Sequence, residues 1–382
     1  MKSFKNFLLI IPVLSLLVCC IFCPITTQAA GLYSKYSVLI DADSGRILSG
    51  SNETTAVSMA STTKIMTLII ALENCDKNFV ATTSAYAASM PDVQLNAVTG
   101  EQFIINDLYY SLMLESHNDT AVAIAEHIGG SVKGFAKLMN QKAAELGCNK
   151  THFVTPNGLD SDKHYTTAYE LCLIADYALK NSGFRKIITT PSYSFSNISG
   201  SKQYSVNNKD AFLTQYNGAI GVKTGFTRKA GYCFCGAAKR KNTTLISAVL
   251  ACGWPPNKTY KWKDTKKLMD YGFNNFTKVN FKPENKNVKI FVKGGQSPYT
   301  YVKLKDNSCK LMLSSSDTVT YKIKLPRTLD APVSKNSIIG YVKLFINNKL
   351  YHQTPLRTEN SVKAVDINYI RYILIHTLCG IS

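Results

Sequence analysis

The chain has 382 residues, of which 45% are hydrophobic and 10% aromatic. It is too long for one ordinary domain and too apolar for wholesale disorder. The 44 Lys and Arg against 25 Asp and Glu give a net charge of +19. Such an excess predicts a polyanionic partner, and nucleic acid, acidic lipid and anionic wall polymer are the candidates.

The N-terminus has the layout of a secretory signal peptide. Two lysines precede an apolar run at residues 7–22, and the small residues Ala29 and Ala30 follow it. We expect cleavage after one of these alanines, which assigns residues 1–29 to the signal peptide. A retained transmembrane anchor is the alternative, but the run is short for a bilayer and Pro12 interrupts it.

Export changes which polyanions the protein meets. Loss of the two leader lysines leaves 42 Lys and Arg against 25 Asp and Glu, a net charge of +17. Outside the cytoplasm the available polyanions are wall polymers and acidic lipid headgroups, so nucleic acid is not expected. The sequence therefore predicts an exported protein that lies at the outer face of a cell membrane or in a cell wall.

Eight of the 11 cysteines lie beyond the predicted signal peptide. An exported chain permits disulfides, but a chain of this size does not need them and the spacing forms no small-domain framework. Cys233 and Cys235 would share one face of a strand, which suits no simple bridge and, without a second pair, no zinc site. We expect mostly free, buried thiols.

Residues 30–276 predict a mixed domain of helices and strands. Alternating apolar residues predict strands at 36–41 and 46–48 around a turn at 43–45. The segment 63–73 is apolar on nearly every side, which predicts a buried helix. Thr167 and Glu170 have the spacing of a capping box. Further helices are predicted at 108–114, 121–128, 132–146, 167–179 and 264–271, with C-terminal caps at Gly129 and Gly147, and further strands at 219–222, 231–238 and 244–252.

The composition shifts beyond residue 275, and residues 277–363 predict a smaller all-β domain. Short β-type runs are separated there by clusters of Gly, Asn, Ser and Pro. The chain ends, at residues 364–382, with apolar side chains at helical spacing. This amphipathic helix is too short to span a bilayer, and we expect it either in the membrane interface or packed on the β domain. The β-type runs are 288–292, 299–302, 310–313, 318–323 and 338–345.

The first motif with chemical potential is Ser61-Thr62-Thr63-Lys64, at the start of the predicted buried helix. A three-residue offset places Ser61 and Lys64 on one helical face. A lysine removed from water near a helix N-terminus loses its proton more easily and can take the proton of a serine hydroxyl. Free N–H groups at that helix end can support an oxyanion. Alone, the pair is better explained as a serine N-cap followed by a snorkelling lysine.

Two further motifs favour the catalytic interpretation. Ser116-His117-Asn118 falls between two predicted helices, where a loop can present polar side chains to a cleft. Lys223-Thr224-Gly225 falls on a predicted strand, and its glycine permits close approach of a substrate backbone. Ser-x-x-Lys, Ser-x-Asn and Lys-Thr-Gly, in this order on helix, loop and strand, are the signature of penicillin-binding proteins and serine β-lactamases.

Nearly the whole chain after the predicted signal peptide resembles low-molecular-mass penicillin-binding proteins of the serine-type D-alanyl-D-alanine carboxypeptidase family. The resemblance implies an α/β (α+β) catalytic domain of the penicillin-binding-protein and β-lactamase fold, with an antiparallel sheet flanked by helices. The β-rich domain and a possible membrane anchor at 364–382 complete it. The similar segments are 38–73, 108–130, 221–238 and 147–179, which contains Thr155-Pro156-Asn157-Gly158-Leu159 and His164.

The resemblance also implies a reaction and the residues that perform it. Ser61 would be acylated by the penultimate D-alanine of a peptidoglycan stem peptide ending in D-Ala-D-Ala, with Lys64 as its base and Ser116 as proton relay to the leaving group. Water would then hydrolyse the acyl-enzyme. β-Lactams would acylate Ser61 and deacylate slowly. No metal or organic cofactor is required.

Substrate binding is implied for a second set of motif residues. Asn118 would contact the substrate peptide, and Lys223 and Thr224 would meet its terminal carboxylate. The N–H groups of Ser61 and Phe226 would form the oxyanion hole. The complete substrate-binding set is Asn118, Lys223, Thr224, Gly225 and Phe226.

Two positions depart from the family pattern. His117 occupies the middle of the second motif, where a small residue is expected, and we interpret it as a solvated loop histidine without a catalytic role. The arginine that many relatives carry after the Lys-Thr-Gly strand is absent from residues 253–262. Lys258 or Lys261 could replace it, as a point charge and not as a bidentate fork.

Three alternatives remain open. A β-lactamase of the best-known class needs a glutamate followed three residues on by Leu-Asn; Glu170 is followed by Leu173 and Ile174, and the capping box already accounts for it. A D,D-endopeptidase or transpeptidase would use the same acyl-enzyme. A non-catalytic wall-binding protein would explain the basic charge, but it needs no Ser-Lys pair.

Overall fold

The structure is a computed structural model that describes residues 31–281, 287–303 and 309–379. The predicted signal peptide lies outside the described residues. In the first domain the strands are β1 Tyr36–Asp41, β2 Ile47–Ser51, β3 Val80–Thr82, β4 Gln102–Ile104, β5 Ser192–Ser196, β6 Gln203–Asn207, β7 Ala219–Thr227, β8 Gly231–Arg240 and β9 Thr243–Leu250. Its helices are α1 Lys64–Asn74, α2 Ala85–Ala88, α3 Ile105–Tyr110, α4 Asn118–Gly129, α5 Val132–Glu145, α6 Ala168–Lys180, α7 Ser182–Thr189, α8 Phe212–Gln215 and α9 Tyr260–Asn275.

A five-stranded antiparallel sheet, in the order β2-β1-β9-β8-β7, forms the centre of this domain. Helices cover both of its faces, which is why β1, β8 and β9 are apolar on both sides. Val38 and Ile40 pack in the core shared with α1, α4 and α6, whereas Leu39 packs in the core beneath α9. The strand β7 lies at the edge of the sheet and borders the segment that carries Ser61.

The buried helix is α1, and it is central for the reason that the sequence predicts. Its residues Ile65, Leu68 and Ile69 are at most 3% exposed. A helix at the surface exposes one face to water, whereas α1 is surrounded by other helices, namely α4, α5, α6 and α7. A 3-10 turn, Ala60–Thr63, precedes it. Ser61 therefore lies on a tight turn leading directly into the core.

Several predicted elements differ from those observed. The segment predicted as a helix at 108–114 divides into α3 and a π-helical turn, Ser111–Glu115. Gly130, and not the predicted Gly129, caps α4 in the left-handed conformation, whereas Gly147 follows α5 as predicted. The short elements α2, α7, α8 and the hairpins β3–β4 and β5–β6 were not predicted, because their apolar patterns are too brief to show a period.

Only half of the predicted capping box forms. Thr167 accepts a hydrogen bond from the Glu170 N–H at 3.0 Å, as an N-cap should. The Glu170 carboxylate does not return to the Thr167 backbone; it accepts from the Lys150 N–H at 2.9 Å and the Thr151 hydroxyl at 2.6 Å. It thereby joins α6 to the preceding loop.

The second domain is all-β, as predicted, and consists of small sheets. These are β10–β13, β12–β11–β15 and β14–β16–β17. One guanidinium nitrogen of Arg46, Nη2, contacts both carboxylate oxygens of Asp317, at 2.8 and 2.9 Å, and joins the domains. The strands are β10 Phe276–Phe281, β11 Asn287–Lys293, β12 Tyr299–Lys303, β13 Cys309–Ser314, β14 Val319–Lys324, β15 Thr328–Asp330, β16 Ile338–Ile346 and β17 Lys349–Arg357.

The predicted C-terminal helix is α10, Ile367–Leu378, and it lies on the surface. None of its residues is buried, and Ile367 and Leu378 are 62% and 84% exposed. The Tyr369 hydroxyl donates to the Gln296 carbonyl at 2.9 Å and ties the first turn to the β domain. Packing of the helix on the β domain is one of the two expected arrangements, and it is limited to the first turn of α10, which we call its root.

The eight described cysteines are all free, as expected. Five of them, including Cys233 and Cys235, are buried. Burial raises the pKa of the Cys233 thiol to about 12, so the thiol stays protonated at neutral pH.

Candidate active site

The Ser61 and Lys64 side chains meet where the 3-10 turn leads into α1. Lys64 Nζ lies 3.1 Å from Ser61 Oγ, and the lysine side chain is fully buried. Burial lowers the pKa of Lys64 well below its ordinary value, the positive charge of Lys223 lowers it further, and the Asp119 carboxylate opposes both effects. These causes favour a neutral amine at physiological pH.

The other contacts of Lys64 define how a neutral amine is oriented. Its Nζ donates to Asn118 Oδ1 at 2.8 Å and to the Asn157 carbonyl at 2.7 Å. The Asn118 oxygen is held as an acceptor because its Nδ2 donates to the carbonyls of Pro91 and Asp92. Two acceptors use both N–H bonds of a neutral amine, so its lone pair is left for the Ser61 hydroxyl proton. This is the geometry of a general base.

Ser116 enters the site from a strained loop. It follows the π-helical turn and has φ 72° and ψ 32°, in the left-handed region. Its Oγ is buried, and no hydrogen-bond partner for it is found among the described residues. A buried hydroxyl without a partner is available for a substrate or a water molecule.

His117 is buried, so the expectation of a solvated loop histidine is wrong. Its side chain is 4% exposed; Nδ1 lies 2.8 Å from Ser111 Oγ and Nε2 lies 3.3 Å from the Glu115 carboxylate. Burial lowers the pKa of His117, against the opposing carboxylates of Asp119 and Glu115. These contacts hold the loop that carries Ser116 and Asn118 in place. The sequence motif alone does not show the polar neighbours, Ser111 and Glu115, that allow the histidine to be buried.

The Lys-Thr-Gly motif lies on the edge strand β7, as predicted. Lys223 is 3% exposed, and burial lowers its pKa to about 7, while the Asp210 carboxylate opposes the shift. Thr224 is the half-buried residue between Lys223 and Gly225. Phe226 is 39% exposed and its ring lies 4.6 Å from that of Tyr232. This arrangement places a buried amine on the strand that borders the Ser61 turn.

Gly225 permits the strand to touch the turn that carries the serine. A Cβ at this position would lie 2.9 Å from the Ser61 nitrogen and 3.0 Å from the Thr62 nitrogen. Real side chains do not fit at such distances, so the close approach requires glycine. The N–H groups at the start of this turn thus border β7, where an oxyanion hole is expected.

Asn157 is a site residue to which the motif analysis assigned no role. Its carbonyl binds Lys64, and Gly158 follows with φ +87°. A Cβ on Gly158 would lie 2.1 Å from the Ala60 carbonyl oxygen, which explains the glycine. The Asn-Gly pair is a turn signal in the sequence, but its contact with Lys64 across 93 residues is a tertiary one.

The two lysines offered as substitutes for the family arginine lie in different environments. Lys258 is exposed. The Lys261 ammonium is buried against the Trp262 and Tyr232 rings, 3.9 and 4.7 Å from their centroids. Burial lowers the pKa of Lys261 to about 8, and the nearby Asp210 carboxylate opposes the shift. The negative charge of Asp210 thus acts on both Lys223 and Lys261. The Lys261 ammonium itself donates to the Lys258 carbonyl at 2.6 Å.

Among the residues that the structure describes, Ser61 pairs with a buried lysine and forms no hydrogen bond with a histidine. Such a pair defines a class: serine-dependent acyl-transfer enzymes that use a lysine base. The sequence matches two protein-family models. Residues 24–253 match Peptidase_S11, D-alanyl-D-alanine carboxypeptidase, and residues 276–364 match the C-terminal domain of penicillin-binding protein 5. The chain belongs to the D-alanyl-D-alanine carboxypeptidase family, a family of serine-type hydrolases that bind penicillin.

Individual relatives agree with this assignment. The chain is 30% identical over 339 residues to D-alanyl-D-alanine carboxypeptidase DacF of Bacillus subtilis, covering 86% of both chains. The solved structure of penicillin-binding protein 5 from Haemophilus influenzae superposes with a TM-score of 0.73 at 26% identity, over 87% of this chain and 98% of that one. The structure of the Streptomyces K15 DD-transpeptidase superposes with a TM-score of 0.60 at 31% sequence identity, over 64% of this chain and 98% of that one. The predicted fold and enzyme class are confirmed.

Proposed function

We propose that Ser61 attacks the carbonyl of the penultimate D-alanine of a stem peptide and releases the terminal D-alanine. Lys64 takes the serine proton, and water then hydrolyses the acyl-enzyme. The observation that carries this proposal is the amine of Lys64, fully buried and 3.1 Å from Ser61 Oγ, with both N–H bonds committed elsewhere. A lysine in this state is a base at neutral pH.

The remaining motif residues would bind the substrate and move the leaving-group proton. Ser116 passes a proton to the departing amine, which agrees with its buried, unpartnered hydroxyl. Lys223 and Thr224 bind the terminal carboxylate, and Asn118 contacts the peptide while it orients Lys64. The N–H groups of Ser61 and Phe226 hold the oxyanion.

A β-lactamase with Glu170 as its water-activating base is less well supported. The carboxylate of Glu170 already accepts from the Lys150 N–H and the Thr151 hydroxyl. It therefore acts as a structural tie between a loop and α6, and slow deacylation of a bound penicillin is the expected result.

Labelled penicillin tests the proposal directly. We expect one modified peptide, acylated at Ser61, and loss of both labelling and D-alanine release in Ser61→Ala. The matched control is Ser199→Ala, an exposed serine in the turn between β5 and β6, which should behave like the wild type. D-alanine release by Ser61→Ala at the wild-type rate would refute the acyl-serine mechanism.

The same acyl-enzyme would also serve an endopeptidase or transpeptidase, and we propose hydrolysis of the terminal D-alanine as the main outcome. Incubation with a D-Ala-D-Ala peptide and increasing glycine as amine acceptor measures the partition. Free D-alanine with unmodified shortened peptide is expected. Predominant glycine adducts would instead assign a transpeptidase, without changing the role of Ser61.

We also propose that the protein is exported and lies at the outer face of the membrane or in the wall. The signal-peptide pattern at 1–29 supports export, and the exposed apolar side chains of α10 support an interfacial contact. Within the described ranges no helix combines the length and apolarity needed to cross a bilayer. The net charge of +17 after cleavage supports anionic wall polymers or the membrane surface as partners.

A further inference from the structure

The positive charge of this protein is unevenly distributed. Residues 276–364 hold 16 Lys and Arg against 5 Asp and Glu, so +11 of the +17 charge lies in the β domain. The segment 365–382 contains one Asp and one Arg and has no net charge. The terminal helix is therefore not the source of the excess, and the β domain is where a polyanion would be attracted.

Three lysines gather on one outer face of the sheet β14–β16–β17. Lys322 on β14 pairs directly with Lys343 on β16, and Lys324 pairs with Tyr341 two residues further along. Like charges directly opposite each other on a sheet are destabilising. Among the ion pairs of the described residues none involves these lysines, so the repulsion is not compensated within the part of the chain that is described.

Side chains that suit a polar polymer surround the lysines. Gln353 on β17 pairs with Lys343, and the Phe345 ring lies 5.6 Å from the Lys322 ammonium. A groove of about 550 Å³ lies at the Lys324 end of this face, and its lining includes Lys324, Tyr341, Lys343 and Gln353 but neither Lys322 nor Phe345. Cations, an amide and a ring edge on one open groove can bind phosphates and the hydroxyl-bearing units between them.

The position of this face favours a wall polymer over a membrane. The Ile338 end of β16 is directed toward α10, since Val333 bridges Val362 and Ala364 bridges Gly295 just before that helix. Lys343 lies five residues along β16, roughly 16 Å from that end at about 3.3 Å per residue. Lys343 therefore lies away from α10, along the strand toward the end of β16 that is nearer the catalytic domain.

We propose that the outer face of β14–β16–β17, centred on Lys322, Lys324 and Lys343, binds a phosphodiester-linked polymer of the cell wall. The paired lysines share one phosphate, which relieves their repulsion, and Lys324 binds the next phosphate of the same chain. This proposal rests on the envelope location proposed above. Its test uses purified components, so a negative result would leave the enzymatic assignment and the location untouched.

The experiment measures binding of poly(glycerol phosphate) to the full chain by titration. The triple variant Lys322→Gln, Lys324→Gln, Lys343→Gln should bind about tenfold more weakly or worse, because each lysine lost removes one phosphate contact. The matched control removes three exposed lysines near the root of α10, namely Lys293→Gln, Lys335→Gln and Lys363→Gln. It should keep near wild-type affinity for the polymer.

Further arms decide between sources of negative charge. The charge-preserving variant, in which the same three lysines become arginine, should retain binding, and all variants should release D-alanine at the wild-type rate if folded. Equal affinity of wild type and triple glutamine variant would overturn the proposal. The proposal would also be overturned if the triple variant lost binding only to vesicles of phosphatidylglycerol and phosphatidylcholine. It would equally be overturned if the wild type bound phosphate-free polygalacturonate more tightly than poly(glycerol phosphate).

Discussion

His164 Nε2 lies 2.8 Å from Thr63 Oγ1, and this contact ties the 155–159 loop segment to the turn that carries the candidate nucleophile. The Val154 N–H donates to the other ring nitrogen, Nδ1, at 3.0 Å. Nδ1 is therefore an acceptor, and the ring is neutral with its proton on Nε2, donating to Thr63. Thr63 in turn donates to the Ala60 carbonyl at 2.8 Å, immediately before Ser61.

This arrangement predicts a loss of stability in acid. Burial lowers the pKa of His164 to about 4 from 6.5. Above pH 6.5 the ring is neutral in both the folded and the unfolded state, so its titration does not change the free energy of unfolding. As the pH falls from 6.5 to 4, the unfolded chain binds a proton that the folded chain refuses, so the free energy of unfolding falls by about 3 kcal/mol.

Denaturant unfolding at pH 7 and pH 4 measures this effect. His164→Gln keeps a donor and an acceptor but does not titrate, so its stability should fall by about 3 kcal/mol less than that of the wild type over this range. The double difference cancels the contributions of the carboxylates that both proteins share. Equal decreases would show that His164 does not remain neutral in the folded state.

A second prediction concerns Lys64 as the base. Lys64→Met keeps an unbranched side chain of similar length but has no amine to accept the Ser61 proton. Penicillin acylation and D-alanine release should both decrease by a factor of about 10²–10⁴. Lys137→Met removes an exposed lysine from α5 and serves as the control. Near wild-type acylation of Lys64→Met, in a protein with an unchanged circular dichroism spectrum, would contradict the assignment.

A third prediction concerns the close approach at Gly225. Gly225→Ala places a methyl group 2.9 Å from the Ser61 nitrogen, in the space expected for the oxyanion. Acylation should slow by a factor of about 10²–10³, the usual effect of losing one oxyanion donor. In Gly183→Ala the nearest atom to the new methyl group is Asn181 Oδ1 at 3.2 Å, away from the cleft. Acylation by penicillin should be slow in Gly225→Ala and close to the wild-type rate in Gly183→Ala. Similar acylation rates in the two variants would show that the oxyanion is bound elsewhere.

A fourth prediction concerns Asp210, whose Oδ1 accepts from the Phe212 N–H at 3.0 Å while no partner for its Oδ2 is found among the described residues. Burial raises the pKa of Asp210 to about 6, so at pH 7 it is mostly ionised and holds the proton on Lys223. The groups that face its carboxylate are Lys223, Lys261 and the Trp262 indole.

The pH profile of kcat/KM measures the effect of the Asp210 charge on Lys223. Lys223 must be charged to bind a carboxylate, so kcat/KM should decrease as the pH rises through about 7. Asp210→Asn removes the negative charge that raises the pKa of Lys223, so this alkaline limb should move to lower pH. Asp162→Asn, at an exposed position, should leave the limb in place. An alkaline limb unchanged in Asp210→Asn would show that the two groups are not coupled.

A fifth prediction concerns α10. The helix α10, Ile367–Leu378, contains no buried residue, so deletion of residues 367–382 should not change D-alanine release from a small peptide. Binding to lipid vesicles should be lost, because each exposed apolar side chain contributes buried area at the interface. Ile370→Ser together with Leu374→Ser tests the same point without truncation. Continued sedimentation of the truncated protein with vesicles would contradict the interfacial role.

The elements with continuous apolar runs are the ones that the sequence predicts well. The strand Tyr36–Asp41 and the buried helix at 64–74 are apolar on nearly every side, and the length of each run separates strand from helix. The three motifs are local, and their order indicates a shared site. The Asn157 carbonyl, the burial of His117 and the Asp210 carboxylate depend on contacts between distant segments, which no local pattern encodes.

Ser116 illustrates a conflict built into this site. A side chain at φ 72° costs about 1–2 kcal/mol relative to the right-handed conformation, and glycine would avoid most of that cost. The replacement that relaxes the loop is also the one that deletes the hydroxyl. Under the proton-relay role proposed for Ser116, thermal stability and turnover cannot be improved together at this position, so stabilising substitutions must be sought elsewhere in the fold.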